Sequence, residues 1–277
     1  MTLDQAIHHI RVNPQYAELV RDSYFDENVH DAAARFFASA EFGEVVRLLD
    51  KEPKVSSILD LGAGNGIASW AFAQHGFGKV YALEPSCSAE VGQGAISRLC
   101  AGLKVQTITA WAEQIPLPDE TVDFVYGRQV LHHVSSLRAA MSECARILKQ
   151  GGVLLATREH VCDDENQMEE FLRNHPIHQL AGGENAFPVD AYIDAIKAAN
   201  LRLVRVLGPW DSVINAFPAV RMADELDRYH KIALERKLGP VGSLLSTLPG
   251  VRTVAWARIK RRRPGRLYSF IAVKVQE

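Results

Sequence analysis

Apolar and polar positions along this chain follow two alternating periods. Short apolar runs with β-branched character predict strands at Ser57–Leu61, Val80–Glu84, Val105–Thr109, Val122–Tyr126, Val153–Thr157, Arg202–Leu207 and Leu267–Val275. Helical spacing lies between most of them, as at Leu137–Leu148 and Val189–Ala199, and residues 15–50 read as a polar helical region ahead of the first strand. This alternation predicts an α/β fold, a mainly parallel seven-stranded sheet with helices on both faces. Ligands of such sheets bind beyond the carboxyl ends of the strands, so the residues that follow each strand are the first candidates for chemistry.

The pattern divides the chain into an N-terminal helical cap, 1–50, and a sheet domain, 51–277, with two lid-like insertions. The first spans about 159–188 and the second about 209–266. Within the second, Met222, Leu226, Tyr229 and Ala233 fall on one helical face and are expected to pack on the core. Leu244-Leu245-Ser246-Thr247-Leu248 offers the alternative of a membrane-surface contact.

Composition adds little until charge is mapped along the chain. At 47% apolar and 23% charged residues the protein is ordinary for a globular domain, and no apolar run approaches a membrane span. Cys87, Cys100, Cys144 and Cys162 are scattered, and Met1–Arg11 lacks a basic-then-apolar leader pattern, so a cytoplasmic protein with reduced thiols is expected. The net charge of −2 conceals an asymmetry, because 13 basic residues oppose 5 acidic ones from Ala219 onward. The centre of that excess is Lys260-Arg261-Arg262-Arg263. It is either a solvated loop or a contact for an anion such as a phosphorylated acceptor, a lipid head group or nucleic acid.

The candidate chemistry begins at Leu59-Asp60-Leu61-Gly62-Ala63-Gly64-Asn65-Gly66. Three glycines between a strand and a helix let the backbone turn sharply and present bare N–H groups to a ligand. Glu84 closes the next strand, 22 positions beyond Gly62. A carboxylate there is placed to accept hydrogen bonds from ribose hydroxyls, so an adenosine-like ligand is expected. The G-x-G-x-G spacing departs from the G-x-G-x-x-G of nicotinamide dehydrogenases.

Further segments follow in order: Leu83-Glu84-Pro85, Ala112-Glu113-Gln114-Ile115-Pro116-Leu117-Pro118-Asp119, Asp123-Phe124-Val125, Leu131-His132-His133-Val134 and Leu148-Lys149-Gln150-Gly151-Gly152. Together with the glycine turn they resemble the class I S-adenosylmethionine-dependent methyltransferases, specifically the type 11 small-molecule group, over roughly 57–157. The resemblance implies a Rossmann-like sheet with its last strand antiparallel, and S-adenosylmethionine as cofactor. It implies that Gly62, Ala63 and Gly64 pass beneath the methionine part, with Gly66 completing the turn, Asp60 at the amino end and Glu84 on the ribose. The family's last two strands form a hairpin, which the long insertion here makes doubtful. Where the family commonly has an aspartate for the adenine amine, this chain has Trp111. An indole N–H only donates, so Trp111 is expected to stack on the adenine face, with Ala112 and Glu113 beside it. Arg128 is taken as a further cofactor contact.

A hydroxyl acceptor must lose a proton during methyl transfer, and histidine suits that task near neutral pH. His133, Arg158, Glu159 and His160 are the catalytic candidates, while His132, His175, His178, Glu184 and Asn185 are candidates for the acceptor. No metal is expected. A divalent ion on His160, His175, His178 and Glu184 is the lesser alternative, since the spacing matches no familiar metal motif. The polar first insertion favours oxygen methylation of a small hydroxylated acceptor such as a sugar or polyol, ahead of nitrogen or carbon methylation. The basic segment would suit a phosphorylated or lipid-linked acceptor. A catalytically silent cofactor-binding subunit is one alternative. A nucleic-acid enzyme is another, disfavoured because the Asn/Asp-Pro-Pro-aromatic motif of base-directed enzymes is missing. Oligomeric state is not indicated.

Overall fold

The structure is a computed structural model that describes residues 1–49, 56–248 and 264–275. The Lys260–Arg263 run and the expected boundary at residue 50 lie outside the described residues. Four helices come first: α1 (Leu3–Val12), α2 (Ala17–Asp22), α3 (Val29–Phe37) and α4 (Ala40–Leu49). Then follow β1 (Ser57–Leu61), α5 (Ile67–His75), β2 (Lys79–Leu83), α6 (Gln93–Leu99), β3 (Val105–Ile108), β4 (Val122–Arg128), α7 (Leu137–Ile147) and β5 (Leu148–Val161). The rest is α8 (Glu165–Asn174), α9 (Pro176–Ala181), α10 (Val189–Ala198), β6 (Leu201–Leu207), α11 (Val213–Ala216), α12 (Ala223–Ser246) and β7 (Arg266–Lys274).

Helix starts are set by side chains that satisfy the orphan N–H groups of the first turn. Thr2 and Gln5 form a reciprocal capping box on α1, Ser136 caps α7, and Asp164 caps α8. The strands form one sheet in the order β3-β2-β1-β4-β5-β7-β6, parallel except where β7 runs against β5 and β6. Each face carries its own apolar core. Leu59, Leu61, Val125 and Leu154 face α7 and α10, and Ile58, Phe124, Tyr126 and Leu155 pack with α3, α4 and α5. Among the described residues no helix is long and apolar enough to cross a membrane.

Two strand expectations need revision. β5 begins at Leu148, where it pairs with Val122 of β4, and runs to Val161, because β7 pairs along it from Val153–Val273 to Val161–Arg266. Arg158, Glu159 and His160 therefore lie inside the strand rather than beyond it. The hairpin that looked doubtful is paired after all, antiparallel from Leu201–Lys274 to Leu207–Ser269. A long connection is tolerable because loop-closure entropy grows only slowly with length.

α1 and the first insertion pack together beside the carboxyl end of β2. α1 packs Ile7 and Ile10 against Ile177 and Leu180 of α9, and it also reaches the loop after β2, where Ser88 donates to Asp4 and Arg11 pairs with Glu90. In the second insertion Leu226 and Tyr229 pack against Val213, Ala216, Val220 and Trp210, while Met222 stays exposed. The side chain of Ala233 is outside the described set. Leu244 and Leu248 are exposed near the end of α12, beyond its bend at Gly239-Pro240.

Candidate active site

Two groups of residues meet at the carboxyl ends of the central strands. The first is the glycine turn between β1 and α5. Gly62, Gly64 and Gly66 all have positive φ, of 65°, 55° and 87°, a region that disfavours any residue with a Cβ. Their surroundings differ. A Cβ on Gly62 would overlap Val130, and one on Gly66 would press on Ile96 at 3.1 Å, so packing within the protein demands those two glycines. Only Gly64 faces space, with Val91 3.8 Å from the position a Cβ would take.

Gly64 N–H donates to Glu84 Oε2 at 2.9 Å, and Ser86 N–H donates to Oε1 at 3.0 Å. A carboxylate has about four lone-pair sites, so Glu84 retains capacity for hydroxyl donors. Burial pushes its pKa up, beyond what these N–H bonds restore. Asp60 is buried beneath the turn and accepts from Ser69 Oγ at 2.6 Å. Burial lifts its pKa to about 7, against the hydrogen bonds from Ser69 and with added repulsion from Glu84. Trp111 is 67% exposed, free of the core that encloses Ala112. Glu113 is spent elsewhere, accepting from the backbone and hydroxyl of Ser135 and from Ser136 N–H.

The second group is built on β5 and the turn after β4. The register of β5 against β7 breaks between Ala156 and Glu159, with Arg158 at φ 60°. Such a break re-aims consecutive side chains. Arg158 is carried to the side of the N-terminal helices, where it donates to the carbonyls of Ile214 and Phe217 at 2.6 and 3.0 Å. Its Nε lies 4.0 Å from Glu41, the buried carboxylate that also pairs with Arg128 at 2.8 Å. Burial and the Arg128 charge, only partly opposed by Glu41, bring Arg158 down to about 10. Arg158 and Arg128, expected in catalysis and cofactor binding, are thus committed to fastening α4 against β4 and β5. Glu41, the residue they share, gave no signal in the sequence because it lies far upstream of both.

Glu159 has no exposure and takes the opposite direction. It accepts from Val130 N–H and His132 N–H, both at 3.1 Å, and from His132 Nδ1 at 2.7 Å. Around His132 gather His133, His160, His175 and Glu184. The His132 ring centroid lies 4.1 Å from that of His133 and 4.8 Å from that of His160. Glu184 approaches His132 Nε2 at 3.7 Å, His133 Nε2 at 3.8 Å and His175 Nδ1 at 3.8 Å. Of the expected partners, His132, His160, His175 and Glu184 therefore converge with His133, whereas His178 and Asn185 do not. His175 caps α9, its Nδ1 accepting from the backbone N–H of His178 at 3.4 Å, and the His178 side chain takes no part in that bond. Asn185 is half-buried beside Glu184.

The electrostatics of this cluster divide its histidines. Burial alone would depress His132, but hydrogen bonds to Glu159 and Glu184 lift it to about 9, so it holds a proton. That charge, added to burial, lowers His133 and takes His160 down to about 3. Glu184 is pulled down to about 2, since His132, His175 and His133 together outweigh its burial. His133 is the accessible member: its side chain is 42% exposed, and its Nδ1 donates to Gly183 O at 3.0 Å.

The chain is similar to known proteins over part of its length. Residues 59–156 match the family described as a methyltransferase domain. The uncharacterized methyltransferase YcgJ of Bacillus subtilis is 32% identical over 119 residues, covering 43% of this chain and 46% of that protein. Its solved structure superposes with a TM-score of 0.54 at 19% identity, over 86% of this chain and 99% of that one. A ubiquinone biosynthesis O-methyltransferase of Rhizobium etli is 29% identical over 35% of this chain and 38% of its own. A dimethylglycine N-methyltransferase of Parasynechococcus marenigrum is 30% identical over 42% of each. The aligned part of the chain spans less than half the length of these curated relatives.

Proposed function

Taking as premise that residues 59–156 are a class I S-adenosylmethionine-dependent methyltransferase domain, we propose that the protein methylates a hydroxyl of a small polar acceptor, of the sugar or polyol kind. The cofactor suits the glycine turn, because Gly64 adopts positive φ beside open space and Glu84 stands next to it with unused acceptor capacity. Gly62 to Gly64 would carry the methionine part, Glu84 the ribose and Trp111 the adenine face. When bound, the cofactor supplies a methyl group on a positively charged sulfur and leaves as the neutral thioether.

The protein's own task is to hold the acceptor and remove its proton. The observation that carries the hydroxyl reading is His133. Its Nδ1–H is fixed by the carbonyl of Gly183, so the neutral ring keeps its Nε2 lone pair available. Its lowered pKa, caused by burial and the charge on His132, keeps it neutral at physiological pH. The hydroxyl proton passes to His133 Nε2, and Glu184, 3.8 Å from that atom, stabilises the imidazolium formed. An amine acceptor has a lone pair of its own once neutral and gains less from such a base. The relatives include enzymes named for oxygen and for nitrogen methylation, so the choice rests on this histidine.

The test is a screen of hydroxylated, amine and carbon-acid acceptors, reading release of S-adenosylhomocysteine. Hydroxylated acceptors are expected to turn over, and His133→Ala to lose about 10²–10⁴-fold in kcat with cofactor affinity retained. Turnover of amines alone, or full activity of His133→Ala, overturns the reading.

A further inference from the structure

The same cluster has the construction of a transition-metal site. We propose that His132, His160 and Glu184 bind one divalent first-row transition ion, of which Zn2+ is the representative, with a position left open toward His133. One ligand atom from each of these three residues lies within 4.8 Å of the others, and His132 and His160 are buried.

The strongest support is the way the imidazoles are held from behind. Nδ1 of His132 meets the Glu159 carboxylate at 2.7 Å, and Nδ1 of His160 meets the carbonyl of Gly265 at 2.9 Å. Both partners only accept, so each Nδ1 must donate, and each ring is left with Nε2 for a ligand. Metal-binding histidines are held in this way, by a carboxylate or a backbone carbonyl on the far nitrogen. Core histidines that merely pack have no reason to share this polarity around a common carboxylate.

The donor set selects the ion. Two imidazoles and one carboxylate suit Zn2+ and its neighbours, whereas Mg2+ and Ca2+ prefer oxygen ligands and water. Three protein ligands with an open position is also the pattern of zinc sites that act on a substrate rather than on the fold. Metal–nitrogen and metal–oxygen bonds of about 2.0–2.2 Å require donors closer together than 4.8 Å. Glu184 follows Gly182 and Gly183, both at positive φ, in a loop where a Cβ on either glycine would meet nothing within 4 Å, so its carboxylate has freedom to close. Metal binding at His132 Nε2 releases any proton on that nitrogen, which faces Glu184, to solvent, while the Nδ1 proton stays on the hydrogen bond to Glu159.

Such an ion deepens the hydroxyl reading above. Its open position would take the acceptor oxygen and favour loss of the proton to His133. Occupancy can be measured with no acceptor present, so failure of the site and failure of the hydroxyl reading are distinguishable.

Chelator-treated full-length protein would be titrated calorimetrically with Zn2+ and, separately, with Mg2+. One Zn2+ per chain is expected, with no Mg2+ uptake under the same conditions. Co2+ in place of Zn2+ should show the visible absorption of an imidazole-ligated ion. Glu184→Gln and His160→Ala are expected to weaken Zn2+ binding at least tenfold, and Glu159→Gln, which acts through His132, by about 10–100-fold. His30→Ala, an exposed histidine on α3, should bind as the wild type does. Binding of S-adenosylhomocysteine to each variant checks that it is folded. Lack of stoichiometric uptake by the wild type overturns the proposal, as does unchanged affinity in folded Glu184→Gln and His160→Ala.

Discussion

Glu41 of α4 is a buried carboxylate approached by two arginines, and its removal has a calculable effect. The side chain is 1% exposed and accepts from Arg128 Nε at 2.8 Å and from Arg128 Nη2 at 3.3 Å, with Arg158 Nε 4.0 Å away. Glu41→Gln keeps the shape but removes the negative charge shared by the buried Arg158 and the partly buried Arg128, and it turns an amide NH2 toward a donor. Removing one partner of a buried pair costs about 3–5 kcal/mol, because the remaining charge stays out of water without compensation. Against a total stability of about 5–15 kcal/mol this is a large fraction. It corresponds to a fall in Tm of about 6–20 °C for a domain of this size class. Urea denaturation with a constant m-value would measure it. Glu41→Met with Arg128→Met, which removes the pair together, should recover much of the loss. A cost below about 1 kcal/mol, typical of exposed ion pairs, would refute the picture of a charge-starved interior between α4, β4 and β5.

Other expectations follow from the cofactor side. Gly62→Ala should weaken S-adenosylhomocysteine binding at least tenfold and destabilise the fold by about 1–3 kcal/mol, since its Cβ would overlap Val130; adding Val130→Ala should restore part of both, and unchanged binding in Gly62→Ala would contradict it. Asp60, whose pKa burial raises from 3.8 to about 7, favours the folded state when protonated, so its contribution is lost as pH climbs between those values. Relative to Asp60→Asn, the cofactor-free wild type should lose about 4 kcal/mol between pH 4 and pH 7.5, at roughly 1.4 kcal/mol per pKa unit; parallel stability profiles would exclude this. Trp111→Ala should weaken cofactor affinity about tenfold by removing a stacking surface with little effect on Tm, and an unchanged affinity rules out adenine stacking.

The sequence determined the strands along the chain, their mainly parallel sheet and the glycine turn, because those depend on local period and on residues close together in the chain. Strand, turn, helix, strand and acid occupy one continuous stretch from Ser57 to Glu84, so spacing alone set Gly64 beside Glu84, where the structure has them hydrogen-bonded at 2.9 Å. Histidines at strand ends were also readable as candidates. Their roles were not. Which way Arg158 and Glu159 project depends on a break in the β5–β7 register, and β7 lies more than a hundred residues downstream. Consecutive residues that looked like one catalytic unit are sent to opposite environments. Arg158 joins Glu41 and Arg128 under the N-terminal helices, and Glu159 anchors His132. Likewise, the charge on His132 and the neutrality of His133 arise from carboxylates contributed by β5 and by the loop at Glu184. Burial and pairing set those protonation states, and both exist only once distant segments have packed together.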